Sequence, residues 1–259
     1  MKHYLAGLLP CGALLLFALL GSAPVRADEI GTAGRAIAAK WQTALVTVTI
    51  SAKITGSEGG MERSDDNKTV VPGVTVDPSG LIAVSLSSAD PAEAMASMGA
   101  PEDMKIAETI TSVMIRMNDG KEVPGDIVLR DKDRDLAFIR PKTKPDAAPP
   151  CVDLTDAGKP EMLDQVIVLS KLGAQANRAV NLTVERVSAV LEKPQLAYVL
   201  GSASYLTQTG VPVFTLDGKL AGLLLQKMSH VKGEQVDMLL IVLPASDVAD
   251  AAKQAMEAH

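Results

Sequence analysis

Apolar and polar residues alternate along much of the chain, as they do in strands that bury one face. The stretch "TALVTVTISAKI" (43–54) alternates almost without interruption and is rich in β-branched residues. The pattern breaks at "GSEGGMERSDDNK" (56–68) and resumes in "TVVPGVTVDPSGLIAVSL" (69–86). The simplest interpretation is a strand, a loop, and two further strands joined by a turn.

Short groups of turn-forming residues separate the apolar runs. They are Asp77-Pro78-Ser79-Gly80, Asn118-Asp119-Gly120 and Asp217-Gly218. Proline sets φ in advance and glycine accepts a positive φ, so each group is suited to a tight turn. We expect a hairpin at each of them.

Two segments have helical spacing instead, roughly 30–42 and the terminal "ASDVADAAKQAMEA" (245–258), where Ser246 or Asp247 is the expected N-cap. Residues 88–105 are rich in alanine and methionine and predict a long loop or a short helix. Residues 140–160 contain five prolines and predict a connector between two β units. Many short strands with few helices predict two small β-barrels or a pair of sandwiches.

The first 27 residues have the layout of a secretory signal peptide. Lys2 is followed by an apolar run and then by the small-residue end Val25-Arg26-Ala27, with cleavage expected after Ala27. A retained membrane anchor is the alternative, although the run is short for a spanning helix. We therefore expect export to the periplasm or the extracellular space, with no membrane attachment after cleavage.

Charge and cysteine content narrow the candidate partners. The chain has 25 basic and 31 acidic residues and a net charge of −6, and the predicted signal removes two cations and no acid. Nucleic acid and anionic lipid are therefore unsuitable partners. Only Cys151 remains after cleavage, so no internal disulfide can form. No zinc-ligand spacing or phosphate-binding loop occurs, and we expect neither a metal nor a cofactor.

Three stretches, in order, resemble the trypsin-like serine proteases of the HtrA/Deg type. "VVPGVTVDPSGLIAVSLSSA" is similar to the strands that lead to that family's catalytic histidine in T-N-x-H-V. "IRMNDGKEVPGDIVLRDKDRDLAFIR" resembles the segment with the Asp-Leu-Ala triplet of the catalytic aspartate, and "LTQTGVPVFTLDGKLAGLLL" resembles the G-N-S-G-G-P-L nucleophile loop. The resemblance covers roughly 46–243.

The resemblance implies an all-β fold of two six-stranded antiparallel β-barrels with short N-terminal and C-terminal helices. We expect one double-barrel domain over 28–244. Its first barrel covers about 43–141, its linker about 142–160 and its second barrel about 161–244. A C-terminal helix follows over 245–259, and no segment remains for the PDZ domain that many family members carry.

The same alignment places the three catalytic positions on Ser87, Asp135 and Thr209. Such a site requires a hydroxyl nucleophile, an imidazole base and a carboxylate that orients the imidazole. Serine stands where the histidine is expected, so the base is missing. His230 lies in an expected hairpin tip and is an unsuitable substitute. Without a base the Thr209 hydroxyl stays protonated, and Asp135 becomes a hydrogen-bond acceptor that Ser87 and Thr209 could share.

The oxyanion-loop positions fall on Thr207, Gln208 and Gly210. The family's first glycine is replaced by Thr207 and its second glycine after the nucleophile by Val211. Glycine permits the backbone conformation that turns an N–H group toward a substrate, whereas a β-branched residue opposes it. We therefore expect a relaxed loop that no longer stabilises an oxyanion.

These substitutions favour a catalytically inactive pseudoprotease that binds a peptide, an unfolded protein or a partner protein in the groove between the barrels. One alternative is an active serine-protease-like hydrolase that uses Thr209 with a non-standard base. Another is a structural subunit of an envelope assembly whose former groove is filled by side chains.

Overall fold

Two closed antiparallel β-barrels of six strands each make up most of the protein. A computed structural model describes residues 28–58, 61–90, 105–201, 208–229 and 237–258. Short helices lie before the first barrel and after the second. The predicted fold class is confirmed. The predicted signal peptide and most of the segment 88–105 lie outside the described residues.

The first barrel has the strand order β1-β2-β3-β6-β5-β4. A four-residue helix, α2 (Leu86–Ala89), follows its third strand. The bounds of its strands are β1 Leu45–Glu58, β2 Met61–Thr75, β3 Ile82–Ser85, β4 Lys105–Arg116, β5 Glu122–Asp131 and β6 Leu136–Pro141.

The second barrel has the strand order β10-β11-β12-β9-β8-β7. The terminal helix α3 (Ala245–Glu257) continues directly from its last strand, and α1 (Glu29–Trp41) precedes β1. The bounds of its strands are β7 Gln165–Lys171, β8 Val180–Leu191, β9 Ala197–Leu200, β10 Val211–Thr215, β11 Leu220–Ser229 and β12 Asp237–Pro244.

All three predicted tight turns are present. Gly80, Gly120 and Gly218 have φ values of +90°, +84° and +83°, a region that favours glycine. Each donates its N–H group to the carbonyl oxygen of the residue three positions earlier, at 2.9, 3.0 and 2.9 Å. The turns therefore fix the register of the strands on either side.

The predicted loop at 56–68 is wrong over most of its length, because β1 runs to Glu58 and β2 starts at Met61. Their pairing continues from Leu45↔Val74 out to Glu58↔Met61. Low strand propensity suggested a loop, yet Ser64, Asp65 and Asp66 are exposed and pair across the hairpin without a buried face. Tertiary pairing overrides propensity here.

Three apolar clusters hold the barrels together. One fills the first barrel around Val48, Ile50 and Ile115, and another fills the second around Val168 and Leu224. The third lies between the barrels and includes residues of both, together with residues of α1 and α3. Because this cluster is shared, each helix is buried against the body of the protein.

The N-cap of α3 lies two or three residues before the predicted Ser246 or Asp247. It is Pro244, so Ser246 and Asp247 lie in the first turn. Proline has the fixed φ and the missing N–H that suit a helix start, which explains why the strand passes straight into the helix. At the other end, the Arg140 guanidinium donates to the carbonyl oxygens of Ala255 and Ala258 at 2.7 and 3.0 Å.

The helix α1 ends at Trp41, whose ring stacks on Phe214 of β10 with 6.2 Å between centroids. Lys40 lies over the same ring, with its Nζ 4.3 Å from the centroid. Trp41 is the only tryptophan of the chain, so its fluorescence reports on the cluster between the barrels. None of the described helices has the length and apolar character of a membrane-spanning helix.

Arg140→Ala should lower the free energy of unfolding by about 2 kcal/mol, because it removes charge-assisted hydrogen bonds to helix carbonyl groups that have no other partner in the helix. Denaturant unfolding followed by Trp41 fluorescence measures this. Arg116→Ala is the matched control, since Arg116 forms an exposed ion pair with Glu122 at 3.2 Å. Such a pair contributes at most about 1 kcal/mol. Equal losses in the two variants would contradict the role assigned to Arg140.

Candidate functional site

The carboxylate of Asp135 lies at the boundary between the barrels, in the turn that joins β5 to β6. It accepts hydrogen bonds from the Ser87 N–H group at 2.7 Å, the Ser85 hydroxyl at 2.8 Å and the Gln226 N–H group at 3.1 Å. Gln226 belongs to β11 of the second barrel, so this one side chain connects the two barrels. Asp135 itself has a φ of +54°, which is uncommon for a residue with a side chain.

Burial and hydrogen bonding have opposite effects on the pKa of Asp135. Burial removes solvation from the charged form and raises the pKa of the carboxyl above its usual range. The donors from Ser87, Ser85 and Gln226 act in the opposite direction without outweighing burial. The folded protein therefore holds a proton at this site up to a higher pH than the unfolded chain does.

The short helix α2 presents three serine residues toward this carboxylate and toward the second barrel. Ser85 caps the helix, since its hydroxyl accepts from the Ser88 N–H group at 3.4 Å. The Ser87 hydroxyl lies 3.2 Å from the Ser85 hydroxyl. Ser85 is fully buried, so its hydroxyl is committed to Asp135 and to the helix cap.

Thr209 is bonded to a different serine. Its hydroxyl lies 2.7 Å from the Ser88 hydroxyl, and its side chain is buried with 8% of its surface exposed. Thr209 therefore shares no hydrogen bond with Asp135 within the described part of the chain, although Ser87 does. Ser87 and Asp135 of the first barrel are hydrogen-bonded to each other. Thr209 of the second barrel is hydrogen-bonded to Ser88 instead.

Gly210 fits where no other residue would. Its φ is +78°, and a Cβ atom built on it would lie 2.9 Å from the Ser85 nitrogen and 3.3 Å from the Pro72 carbonyl oxygen. Its own N–H group donates to the Leu224 carbonyl oxygen at 2.6 Å. The loop that carries Thr209 is thus pressed directly against the backbone of the first barrel.

Of the remaining predicted positions, the structure describes Gln208 but not Thr207 or His230. The Gln208 side chain donates to the Lys171 carbonyl oxygen at 2.9 Å and so turns away from the Asp135 carboxylate. Thr207 and His230 lie outside the described residues, as do the other two histidines of the chain. No imidazole therefore approaches Thr209 from the described part of the protein.

Three participants were not identified from the sequence: Ser85, Ser88 and Gln226. The pair Ser85 and Ser88 has the i, i+3 spacing of a helix cap, and that spacing directly after a buried strand is a usable signal. Gln226 contributes its backbone N–H group, which no side-chain motif could indicate.

Two clefts open where the barrels meet. One, of about 500 Å³, is lined by Asp135, Gln226, Lys227 and the segment 132–134, together with residues of the 194–195 turn. The other, of about 380 Å³, lies beside Gln208 and Val211 and has mostly apolar walls from strands of both barrels. Cavities of this size accommodate side chains or small ligands. Among the described residues, a cleft therefore lies on each side of the contact between the barrels.

The described polar groups around Thr209 do not include a base. Thr209 has a hydroxyl but its only described polar partner is another hydroxyl, which cannot remove a proton at neutral pH. No group of three or more metal-ligating side chains occurs among the described residues. The polar groups of the site are instead paired with one another and hold the two barrels in register.

Comparison with known protein families agrees with the fold. The family model of the trypsin-like peptidase domain matches residues 73–223, which is more than half of the chain. The match begins in β2 and ends in β11, so it includes Ser87, Asp135 and Thr209. A search of curated proteins finds no significant match.

Gly210→Ala should lower the free energy of unfolding by more than about 2 kcal/mol, since it combines an unfavourable positive φ with a backbone clash. Gly218→Ala is the matched control because Gly218 has a φ of +83° and no atom lies within 4 Å of the place that an alanine methyl group would take. It isolates the conformational cost, about 1 kcal/mol. Unfolding by denaturant compares the two, and equal losses would mean that the clash at Gly210 is relieved cheaply.

The raised pKa of Asp135 makes stability depend on pH with a defined sign. Its contribution is complete below the unfolded value of about 3.9 and is lost as the pH rises through the folded value. The difference in unfolding free energy between wild type and Asp135→Asn should therefore decrease as the pH rises from about 3.9 through the folded value.

Asp153→Asn is the control of opposite sign. Hydrogen bonds from Thr155 lower the pKa of Asp153, so the corresponding difference should increase as the pH rises through the folded value to about 3.9, the unfolded value, and then stay constant. A difference for Asp135 that stays constant or increases with pH would overturn the assignment of burial as the dominant effect.

Proposed function

Because the chain belongs to the family of the trypsin-like peptidase domain, we propose that it is an exported protease-fold protein that no longer hydrolyses peptide bonds and acts by binding peptide or protein segments. Within the family, the Asp135-Leu136-Ala137 triplet and the Asp119-Gly120 hairpin support the HtrA/Deg type. Export rests on the signal-like layout of residues 1–27.

The hydrogen bonding around Thr209 carries the proposal. Its hydroxyl pairs with Ser88 at 2.7 Å, while the Asp135 carboxylate is occupied by Ser87, Ser85 and Gln226. In a working triad the carboxylate orients an imidazole and the imidazole takes the proton of the nucleophile. Here serine takes the histidine's place in the alignment, and the carboxylate receives a backbone N–H group of that same serine.

Without a base, the rest of the site can supply only a small part of a protease's rate acceleration. Proteases without their triad retain roughly 10³- to 10⁴-fold acceleration over water, and that remainder comes from the oxyanion hole and substrate binding. The replacement of the loop's first glycine by Thr207 argues against such a hole. An activity detectable in an ordinary assay would therefore need a base that the sequence does not provide at the expected place.

The groove, by contrast, supports a binding role. Clefts of about 500 and 380 Å³ remain open at the boundary between the barrels. An extended peptide gains affinity from main-chain hydrogen bonds and specificity from pockets for alternate side chains. Open clefts also disfavour the alternative of a purely structural subunit with a filled groove.

One assay tests both halves of the proposal. A dye-quenched unfolded protein serves as substrate, and the same protein labelled with a single fluorophore serves as ligand in an anisotropy titration. Wild type and Thr209→Ala should be equally silent as proteases and should bind with equal affinity, because Thr209 is buried and does not react. The mass of the exported protein should correspond to a chain that begins at Asp28.

Other outcomes select the alternatives. Cleavage by wild type but not by Thr209→Ala would establish a hydrolase with a non-standard base. Silence in both assays would favour a structural subunit of an envelope assembly. Cleavage at equal rates by both proteins would indicate a contaminating protease and calls for repurification before the comparison is repeated.

A further inference from the structure

The cleft beside Gln208 has features that a peptide groove alone does not require. It is formed by Leu45–Thr47 of β1, Val70–Gly73 of β2 and the end of β7, so both barrels contribute to it. Its volume is about 380 Å³ and its walls are mostly apolar. Two of the lining side chains are large, apolar and exposed, since Val70 is 58% and Leu172 is 43% exposed. The apolar wall of the cavity therefore reaches the protein surface.

Two cations lie at the cleft without a counter-charge. Lys171 donates from its Nζ to the Leu45 carbonyl oxygen at 2.9 Å and to the Asn118 side-chain oxygen at 2.8 Å, both of which are uncharged. Arg178 lines the same cleft. Within the described ranges, no carboxylate lies within ion-pair distance of either residue.

The two cations also repel each other. The pKa of Lys171 is lowered, first by burial and then by the positive charge of Arg178. The chain has a net charge of −6, yet these two neighbouring cations have no carboxylate partner among the described residues. Their mutual repulsion costs free energy. A carboxylate placed between them would remove this cost and gain two charge-assisted contacts.

The backbone at Arg178 gives an independent indication. Asn177 and Arg178 both have a φ of +52°, a region that disfavours residues with long side chains. Their N–H groups are satisfied within the turn, by the carbonyl oxygens of Ala174 and Gly173 at 3.0 and 3.2 Å. The hydrogen bonding of the turn would suit glycine at 178 equally well, so it does not account for an arginine. Such residues are found preferentially at functional sites.

We propose that this cleft binds an extended peptide segment in which an apolar side chain is followed closely by carboxylate side chains. The apolar side chain fills the cavity, and the carboxylates lie between Lys171 and Arg178. This inference rests on the proposed binding function and specifies its ligand. A peptide fits better than a compact ligand because it can place an apolar side chain against the exposed wall of Val70 and Leu172 and a carboxylate beside the cations at the same time.

Three pools of labelled nonapeptides with blocked ends test the selectivity. All positions are random except a central triplet, which is leucine-aspartate-glutamate, leucine-asparagine-glutamine or leucine-lysine-lysine. The immobilised protein should retain the acidic pool at least about threefold better than the amide pool and the basic pool least, as expected for two nearby cations in a partly buried site. The advantage of the acidic pool should shrink at high salt.

Variants of Arg178 separate binding from structure. Arg178→Gly should remove most of the preference for the acidic pool while keeping or raising the melting temperature, because glycine suits a positive φ. Arg178→Lys keeps the charge and should keep the preference. Lys253→Gln removes an exposed cation from α3 and is the matched control for net charge.

The failures are distinguishable. Retention of all three pools to the same extent, or an unchanged preference in Arg178→Gly, would overturn the assignment of Lys171 and Arg178 but leave peptide binding intact. Retention of no pool, together with no binding of unfolded protein, would overturn both this inference and the proposed function. A fall in the melting temperature of Arg178→Gly would overturn the assignment of Arg178, because a structural role would then account for the arginine without a ligand.

Discussion

The carboxylate of Asp135 is the polar contact on which the arrangement of this protein depends. It receives donors from Ser85 and Ser87 of the first barrel and from Gln226 in β11 of the second, so one partly buried side chain connects the barrels beside the apolar cluster. Apolar contacts can slide by small amounts, whereas hydrogen bonds to a partly buried acceptor fix direction as well as distance. The position of Ser87 relative to β11 follows from this anchoring.

This anchoring gives Asp135 and its neighbours a structural role that requires no imidazole. A carboxylate that only oriented an imidazole would have no function once the imidazole was gone, and a buried acceptor without donors would be costly. Here the donors to Asp135 are two backbone N–H groups and a hydroxyl, none of which depends on catalysis. Gly210 likewise has a structural role that does not depend on catalysis, because its backbone packs closely against Ser85. Asp135 and Gly210 are therefore required for the structure independently of any catalytic role.

The sequence predicted the architecture well where local chemistry and tertiary structure agree. The turns at Gly80, Gly120 and Gly218 and the terminal helices were found because glycine, proline and apolar spacing act over a few residues. The long β1–β2 hairpin was missed at 56–68, since a polar strand exposed on its surface has no alternating pattern to reveal it. The N-cap of α3 was misplaced because Pro244, as the last residue of a strand, also serves as the helix cap.

Local sequence patterns could not predict the hydrogen bond between Ser88 and Thr209, because the two residues come from different barrels and meet only after folding. The same limit applies to the cations at 171 and 178, whose significance depends on the lack of a nearby carboxylate within the described part of the folded chain. Motif alignment directs attention to Ser87, Asp135 and Thr209, the positions that align with the triad. Charge and exposure in three dimensions direct it instead to the loop at 172–178, where Lys171 and Arg178 border a mostly apolar cleft.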